Sequence, residues 1–214
     1  MTRQRRFSFC ACLAILVTTV ACGSSNSGGQ SGATGWDQAR IGNTGTDWWM
    51  NVRKGAYYFT AMLNPSYTDS ATGRAMAIDF AKQVVAKITG TPAPVTLVPA
   101  LSEMPGWILD PAESKTVNGP AVATNRADAE ALIDGGADPF FVPGSYSAVG
   151  LAWEKWTKDP WALDLKVWQM ASVADATKLW TDILSNSSYA QVLNPDGSSG
   201  WITCAGADQA NPCP

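Results

Sequence analysis

The residues that could carry chemistry in this chain are five cysteines and a set of carboxylates, because the 214-residue sequence contains no histidine. Without histidine the chain cannot build a Ser-His-Asp or Cys-His catalytic group, an imidazole metal site or a histidine pH switch. The sequence also lacks the G-x-S-x-G, S-x-x-K and G-x-x-x-x-G-K-[ST] motifs. The residues therefore identify no catalytic group, no metal site and no cofactor.

Paired carboxylates are the catalytic option that remains, as in glycosidases, where two acids flank the scissile bond. Asp134 and Asp138 are four residues apart, but Gly135, Gly136 and Pro139 interrupt the helix that would align them. We interpret the two acids as solvated groups at a helix end. The oxygen-rich segment 194–200 lacks the alternate ligands and the closing Glu of an EF-hand, so we interpret it as a turn.

The N-terminus has the pattern of an export signal. Three arginines precede an apolar run from Phe7 to Ala21, which is shorter than the roughly 20 residues of a comfortable membrane span. Residues Thr19 to Cys22 resemble the lipobox of bacterial lipoproteins, with Thr19 where that motif usually has Leu. We predict a lipoprotein signal peptide over residues 1–21 and lipid attachment at Cys22. A plain secretory signal cut near the same place is the alternative.

Residues 22–35 are predicted to be a flexible tether, because after Cys22 they are all Gly, Ser, Asn, Gln, Thr or Ala. Two or three acyl chains on Cys22 would hold the protein stably at a membrane. Gly23 is not the Asp that retains some lipoproteins at the inner membrane. We therefore expect an outer-membrane address in the cell envelope, on the periplasmic or the surface face.

Cysteine counting predicts a disulfide at the C-terminus. Cys10 and Cys12 leave with the signal peptide and Cys22 is acylated, so Cys204 and Cys213 remain as the pair in the mature chain. An even pair in an exported chain indicates a disulfide, and the short polar loop between these two gives it a structural role. Removing the three arginines of the signal leaves 12 basic and 18 acidic groups, about −6. With no basic run, we expect no nucleic-acid partner.

Residues 36–214 are predicted to form a single α+β domain: an antiparallel sheet of about five or six strands with two or three helices packed mainly on one face. Apolar patterning predicts strands over 56–63, 95–98, 106–109, 145–156 and 161–167, and helices over 74–88, 125–133 and 172–184. The spacing of Ser172 and Asp175 predicts a capping box for the last helix. The strand-then-helix order occurs twice, so either a duplication or a common α+β connection is open.

The ten tryptophans form the remaining signal. Three fall on apolar faces of predicted elements and are expected in the core: Trp153, Trp161 and Trp180. Trp156 and Trp168 are predicted to lie together on the hairpin face that carries Asp164 and Lys166, as a binding patch for a sugar ring or a protein partner. The alternative is that other segments cover that face.

Three segments resemble a family of uncharacterised bacterial secreted and lipid-anchored proteins: 132–138, the hairpin after Phe140 and Phe141, and 165–176. That family has an Ile-Asn-Gly-Ala-Ala-Glu-like helix end, an antiparallel strand pair, a Met-x-Ser strand exit and a helix that opens with Asp-Ala. Here Asp134 replaces the Asn, Gly136 replaces an Ala, and Asp138 replaces the final acid. The resemblance covers roughly residues 130–185 and implies an exported α+β protein, but no activity.

Together these features predict a bacterial envelope lipoprotein that binds a ligand or a protein without catalysis. Its expected partners are the membrane, through the lipid anchor, and an envelope protein or glycan. Two alternatives stay open: a carboxylate-dependent enzyme that acts on envelope polysaccharide, and an architectural component of the envelope.

Overall fold

The computed structural model describes residues 35–43, 47–64, 70–110, 119–133, 137–142, 144–185, 191–193 and 199–201. The predicted signal peptide, most of the predicted tether, Cys22, Asp134, Cys204 and Cys213 lie outside the described residues, as does the side chain of Asp138.

One antiparallel sheet organises the fold. Its strands are β1 (Gln38–Asn43), β2 (Trp48–Lys54), β3 (Tyr57–Asn64), β4 (Ile108–Leu109), β5 (Ala121–Ala123), β6 (Ala148–Lys158), β7 (Trp161–Met170), β8 (Gln191–Leu193) and β9 (Ser199–Trp201). The order across the sheet is β4-β6-β7-β3-β2-β1-β8-β9, and β5 pairs with β6 on the same side as β4. Strands β6 and β7 form the longest hairpin, as the alternating pattern predicts.

Five helices accompany the sheet in the described part of the chain. They are α1 (Ser70–Lys87), α2 (Pro94–Leu97), α3 (Arg126–Ile133), α4 (Asp138–Phe141) and α5 (Val173–Ser185), with a 3₁₀ turn at Leu101–Glu103. Helix α5 forms one half of the predicted capping box: the Asp175 N–H donates to Ser172 Oγ at 3.1 Å, but the Asp175 carboxylate accepts from the Ser172 hydroxyl at 2.5 Å in place of the Ser172 N–H. The short Asp side chain thus bonds the capping hydroxyl.

The α+β class is confirmed. The sheet has more strands than the five or six predicted: five of its described strands have between six and eleven residues, and four strands of two or three residues extend it further. The prediction of a strand over 95–98 is wrong, because helix α2 begins at Pro94, where proline fits the first turn and lacks only an unused N–H.

The helices lie on both faces of the sheet, which corrects the expectation that they pack mainly on one. Tyr57 and Phe59 of β3 point to the first face and join the core with Ala81 and Val84 of α1. Tyr58 points the other way and joins a second core with α5. Successive side chains of a strand alternate between faces, so β3 supplies both cores.

This two-sided packing bears on the possible duplication. Each unit can be viewed from the side of its helix, with its second strand pointing up. In this view β2 lies on one side of β3 in the β2-β3-α1 unit, whereas β6 lies on the opposite side of β7 in the β6-β7-α5 unit. The reason is that β3 and β7 are antiparallel neighbours whose helices cover opposite faces. The two units have opposite hands and do not superpose, which argues against a duplication.

Candidate functional site

The predicted Trp156 and Trp168 patch does not exist. Trp156 is 0% and Trp168 2% exposed, and the two lie on opposite faces of the sheet. The two-residue turn of the β6–β7 hairpin sets this register, since it places Trp168 opposite Leu151 and Trp156 opposite Leu163. The two tryptophans therefore cannot form one surface.

Trp168 is covered by the segment that precedes the hairpin. Its indole stacks on the ring of Phe140, with centroids 4.1 Å apart and planes 16° from parallel, and Phe141 approaches at 6.0 Å. The predicted alternative, in which other segments cover this face, is what the structure shows at Trp168. The expectation that Trp153, Trp161 and Trp180 lie in the core is confirmed, since all three are buried.

A buried pair of carboxylates would support the enzymatic alternative. Among the described residues one carboxylate, that of Glu154, is buried, at 1% exposure. It lies on the first face of β6 between Ala152 and Trp156. No group of three or more His, Cys, Asp or Glu side chains that could hold a metal ion occurs in the described ranges. The enzymatic function stays an open alternative to the predicted binding function.

The second face has an uncovered region beyond its core. The core on this face ends at the row of paired residues that includes Tyr58, Leu151 and Trp168. In the next two rows toward the hairpin turn, Trp49 of β2 and five side chains of β3, β6 and β7 are exposed or half-buried and belong to neither core. We call the five on β3, β6 and β7 the open face: Thr60, Met62, Lys155, Asp164 and Lys166.

The strand register brings these residues together. Lys166 lies directly opposite Thr60 of β3, and Asp164 lies opposite both Met62 and, on the other side, Lys155 of β6. Met62 is 40% exposed although β3 is an inner strand with neighbours on both sides. The open face therefore crosses the middle of the sheet from β3 to β6.

A cluster of charges surrounds one indole at this position. Asp164 accepts hydrogen bonds from Trp153 Nε1 at 2.9 Å and from Lys166 Nζ at 2.8 Å, and it lies 3.7 Å from Lys155 Nζ. The ammonium groups of Lys155 and Lys166 lie 5.5 Å and 5.3 Å from the centroid of the Trp153 ring. Carboxylate, indole and ammonium groups hold one another in place, so the cluster is preorganised.

A buried polar group borders the open face on the β1 side. The guanidinium of Arg40 lies over the indole of Trp49 at 5.0 Å and near that of Trp180 at 5.8 Å, and burial lowers the pKa of Arg40. The Tyr58 hydroxyl donates to Asn51 Oδ1, and burial raises the pKa of Tyr58, opposed by the positive charge of Arg40. Helix α5 thus covers this end through Trp180 and leaves the open face beside it.

The groups of the open face can bind a ligand, but among them there is no nucleophile activated by a base. It presents two ammonium donors, a hydroxyl and a thioether, which suits a ligand with a carboxylate beside an apolar group. Local alternation does predict that Asp164 and Lys166 share a face. The contribution of Met62 was missed, because it depends on β3 lying beside β7.

Comparisons with known protein families, with curated proteins and with solved structures find no match to this chain. Among the described residues, no helix is long and apolar enough to cross a membrane.

Proposed function

We propose that this protein is a lipid-anchored protein of the bacterial envelope whose folded domain binds a partner through the open face, without catalysis. One observation carries the proposal. Met62 is 40% exposed in the middle of the sheet, whereas every residue of β3 that points to the first face is at most 1% exposed. Because Met62 lies beside the preorganised ammonium groups of Lys155 and Lys166, the open face offers an adaptable apolar contact together with charge-assisted hydrogen bonds, a combination suited to binding a partner.

The chemistry of the open face favours an acidic partner. Lys166 and Lys155 offer charge-assisted hydrogen bonds on either side of Asp164, next to the Met62 thioether. The mature chain is acidic as a whole, so attraction of an acidic partner is confined to this local cluster. A protein segment or an envelope glycan with carboxylates beside an apolar surface fits these groups.

Site-specific photo-crosslinking in native cells tests the binding surface. A benzophenone amino acid replaces Met62, and the matched control replaces Lys82, which is exposed on α1 on the other face. We expect a discrete crosslinked protein from position 62 that is absent from position 82. The substitution Lys166→Glu in the same chain should reduce that product at least tenfold, because it reverses the charge that faces an acidic partner.

A glycan partner gives a different result in the same design. The acylated protein should then co-sediment with purified envelope polysaccharide, and Lys166→Glu should weaken that binding whereas Lys82→Glu should not. If Lys166→Glu and Lys82→Glu give the same yield of crosslinked product from position 62 and the same co-sedimentation with polysaccharide, a role for the open face is refuted.

The lipid anchor is tested separately. We expect labelled palmitate to be incorporated into the chain and to be lost in Cys22→Ser, with release of the protein from membranes. Full membrane retention of Cys22→Ser would contradict the anchor while leaving the open face to its own test.

A further inference from the structure

We propose that one end of the sheet, the valine end, rests on the lipid bilayer to which the chain is anchored; this inference rests on the lipid anchor of the proposed function. The valine end is defined by five exposed valines: Val95, Val122, Val142, Val149 and Val173. Each has between 37% and 54% of its surface exposed.

The strand register places three of these valines, Val122, Val149 and Val173, at the same end of the sheet. A single row of paired residues runs Gln38, Arg53, Tyr58, Trp168, Leu151, Ala123. The start of β1, the end of β5, the start of β6 and the end of β7 therefore lie together. Val149 is at the start of β6, and Val173 follows the end of β7 by three residues.

Contacts between loops bring the segments of Val95, Val149 and Val173 together. The Ala171 N–H donates to the Ser147 carbonyl at 2.9 Å, which joins the segment before Val173 to the segment before Val149. At Gly150 an added Cβ would lie 3.2 Å from the ring of Pro94, so the start of α2, with Val95, packs against the start of β6. The surface is therefore built from several separate segments of the chain.

These segments carry no charge. Residues 88–102, 116–125, 139–153 and 167–174 contain no Asp, Glu, Lys or Arg. Charged side chains at this end of the sheet flank these segments: Asp37 pairs with Arg53 at 3.0 Å on the β1–β2 side, Arg126 and Asp128 follow β5, and Asp175 follows Val173 by two residues. The uncharged segments of valine, proline and small polar residues between them can enter the membrane interface while the flanking charges stay in water.

The position of the chain entry favours the bilayer over a protein as the occupant. Strand β1 begins at Gln38, at the valine end, so the predicted tether 22–35 joins the domain there. A flexible tether of 14 residues has a root-mean-square span of about 20 Å. The anchored acyl chains would hold the valine end near the membrane at high effective concentration, so that even a weak contact is formed.

Depth-dependent quenching tests this orientation in the full acylated protein. An environment-sensitive fluorophore is attached at Val173→Cys or Val149→Cys, with Ala162→Cys as the control, an exposed site next to the hairpin turn at the opposite end. The protein is bound to phosphatidylcholine vesicles that contain nitroxide-labelled lipid. We expect at least twofold stronger quenching at 173 and 149 than at 162. Equal quenching at all three sites would overturn the inference.

Two controls separate this inference from its alternatives. Flotation with the vesicles reports the anchor: flotation with equal quenching overturns only the valine end, whereas loss of flotation overturns the anchor and the valine end together. Fluorophores at 173 and 149 that are shielded without vesicles, increasingly with protein concentration, would indicate a second copy and also overturn the inference. The variant Val149→Asp should float normally but lose the excess quenching at 173.

Discussion

Trp153 and Trp156 provide a matched pair of substitutions within one strand. Both are buried in β6, three residues apart and on opposite faces of the sheet. Trp153 Nε1 donates a hydrogen bond to Asp164 at 2.9 Å. Trp156 Nε1 is buried with no hydrogen-bond partner among the described residues. The two side chains therefore differ in whether the indole N–H is bonded, and also in their surroundings, since Trp156 packs in the core of the first face and Trp153 lies beside two ammonium groups.

Replacing each with phenylalanine separates the hydrogen bond from the packing. Both substitutions remove the same volume, and the double-mutant cycle with Asp164 separates the hydrogen bond from any difference in cavity cost between the two sites. Trp153→Phe also loses a hydrogen bond to a carboxylate, which contributes about 1.5–3 kcal/mol. Trp156→Phe removes a buried N–H that has no partner to lose. We expect Trp153→Phe to lower the free energy of unfolding by about 2 kcal/mol more than Trp156→Phe.

Urea unfolding of the unacylated Cys22→Ser chain measures this difference. With a urea m-value of about 2 kcal/mol/M, a difference of about 2 kcal/mol separates the two midpoints by about 1 M. Asp164→Asn, alone and combined with Trp153→Phe, isolates the pair energy in a double-mutant cycle. Equal midpoints for the two phenylalanine variants, or a lower midpoint for Trp156→Phe, would refute the assignment of the charge cluster.

Two further outcomes follow from individual contacts. Gly73→Ala should lower the urea midpoint although alanine favours helix, because the new Cβ would lie 2.8 Å from Trp48 and 2.9 Å from Trp161. The overpacking cost of about 1–3 kcal/mol exceeds the gain in helix propensity of about 0.5–1 kcal/mol. A raised urea midpoint would contradict this prediction. The hydrogen bond from Lys87 lowers the pKa of Glu103, so the ionised carboxylate stabilises the fold above the ordinary carboxyl range, and this stabilisation is lost as pH falls through the lowered pKa. The variant Glu103→Gln should therefore show a smaller decline in Tm between pH 6 and pH 3. An unchanged decline would contradict this prediction.

The local pattern of apolar residues was sufficient to predict the helices and strands that bury one face. Helix α1 is predicted over 74–88 and observed at Ser70–Lys87, and the predicted strand 161–167 lies within β7. In each, apolar residues recur with the period of the element, and burial of that face decides the structure. The four residues missing at the start of α1 include Gly73, whose small size is required by two indole rings rather than by the helix.

Pairing between distant strands was not accessible from local patterning. The placement of Trp156 depends on the two-residue turn at Asp159 and Pro160, since a shift of one residue in register exchanges the faces of β6. The open face depends on β3 lying next to β7, about a hundred residues away in the chain. The apolar side chain of Met62 predicts a core position. Its exposure follows from the order of the strands, which places it on a part of the sheet that no helix of the described residues covers.

The two proposed surfaces are related by the geometry of β6. The valine end lies at Val149 and the open face at Lys155, six residues further along the strand. At about 3.3 Å per residue the two are separated by about 20 Å along the sheet. If the valine end rests on the bilayer, the hairpin turn points away from it, and the open face lies on the side of the domain about 20 Å from the bilayer, where a partner can reach it. The substitution Val149→Asp should therefore tilt the domain on the membrane without changing the chemistry of the open face. The benzophenone at position 62 should then still crosslink to the partner, but at a different residue of the partner.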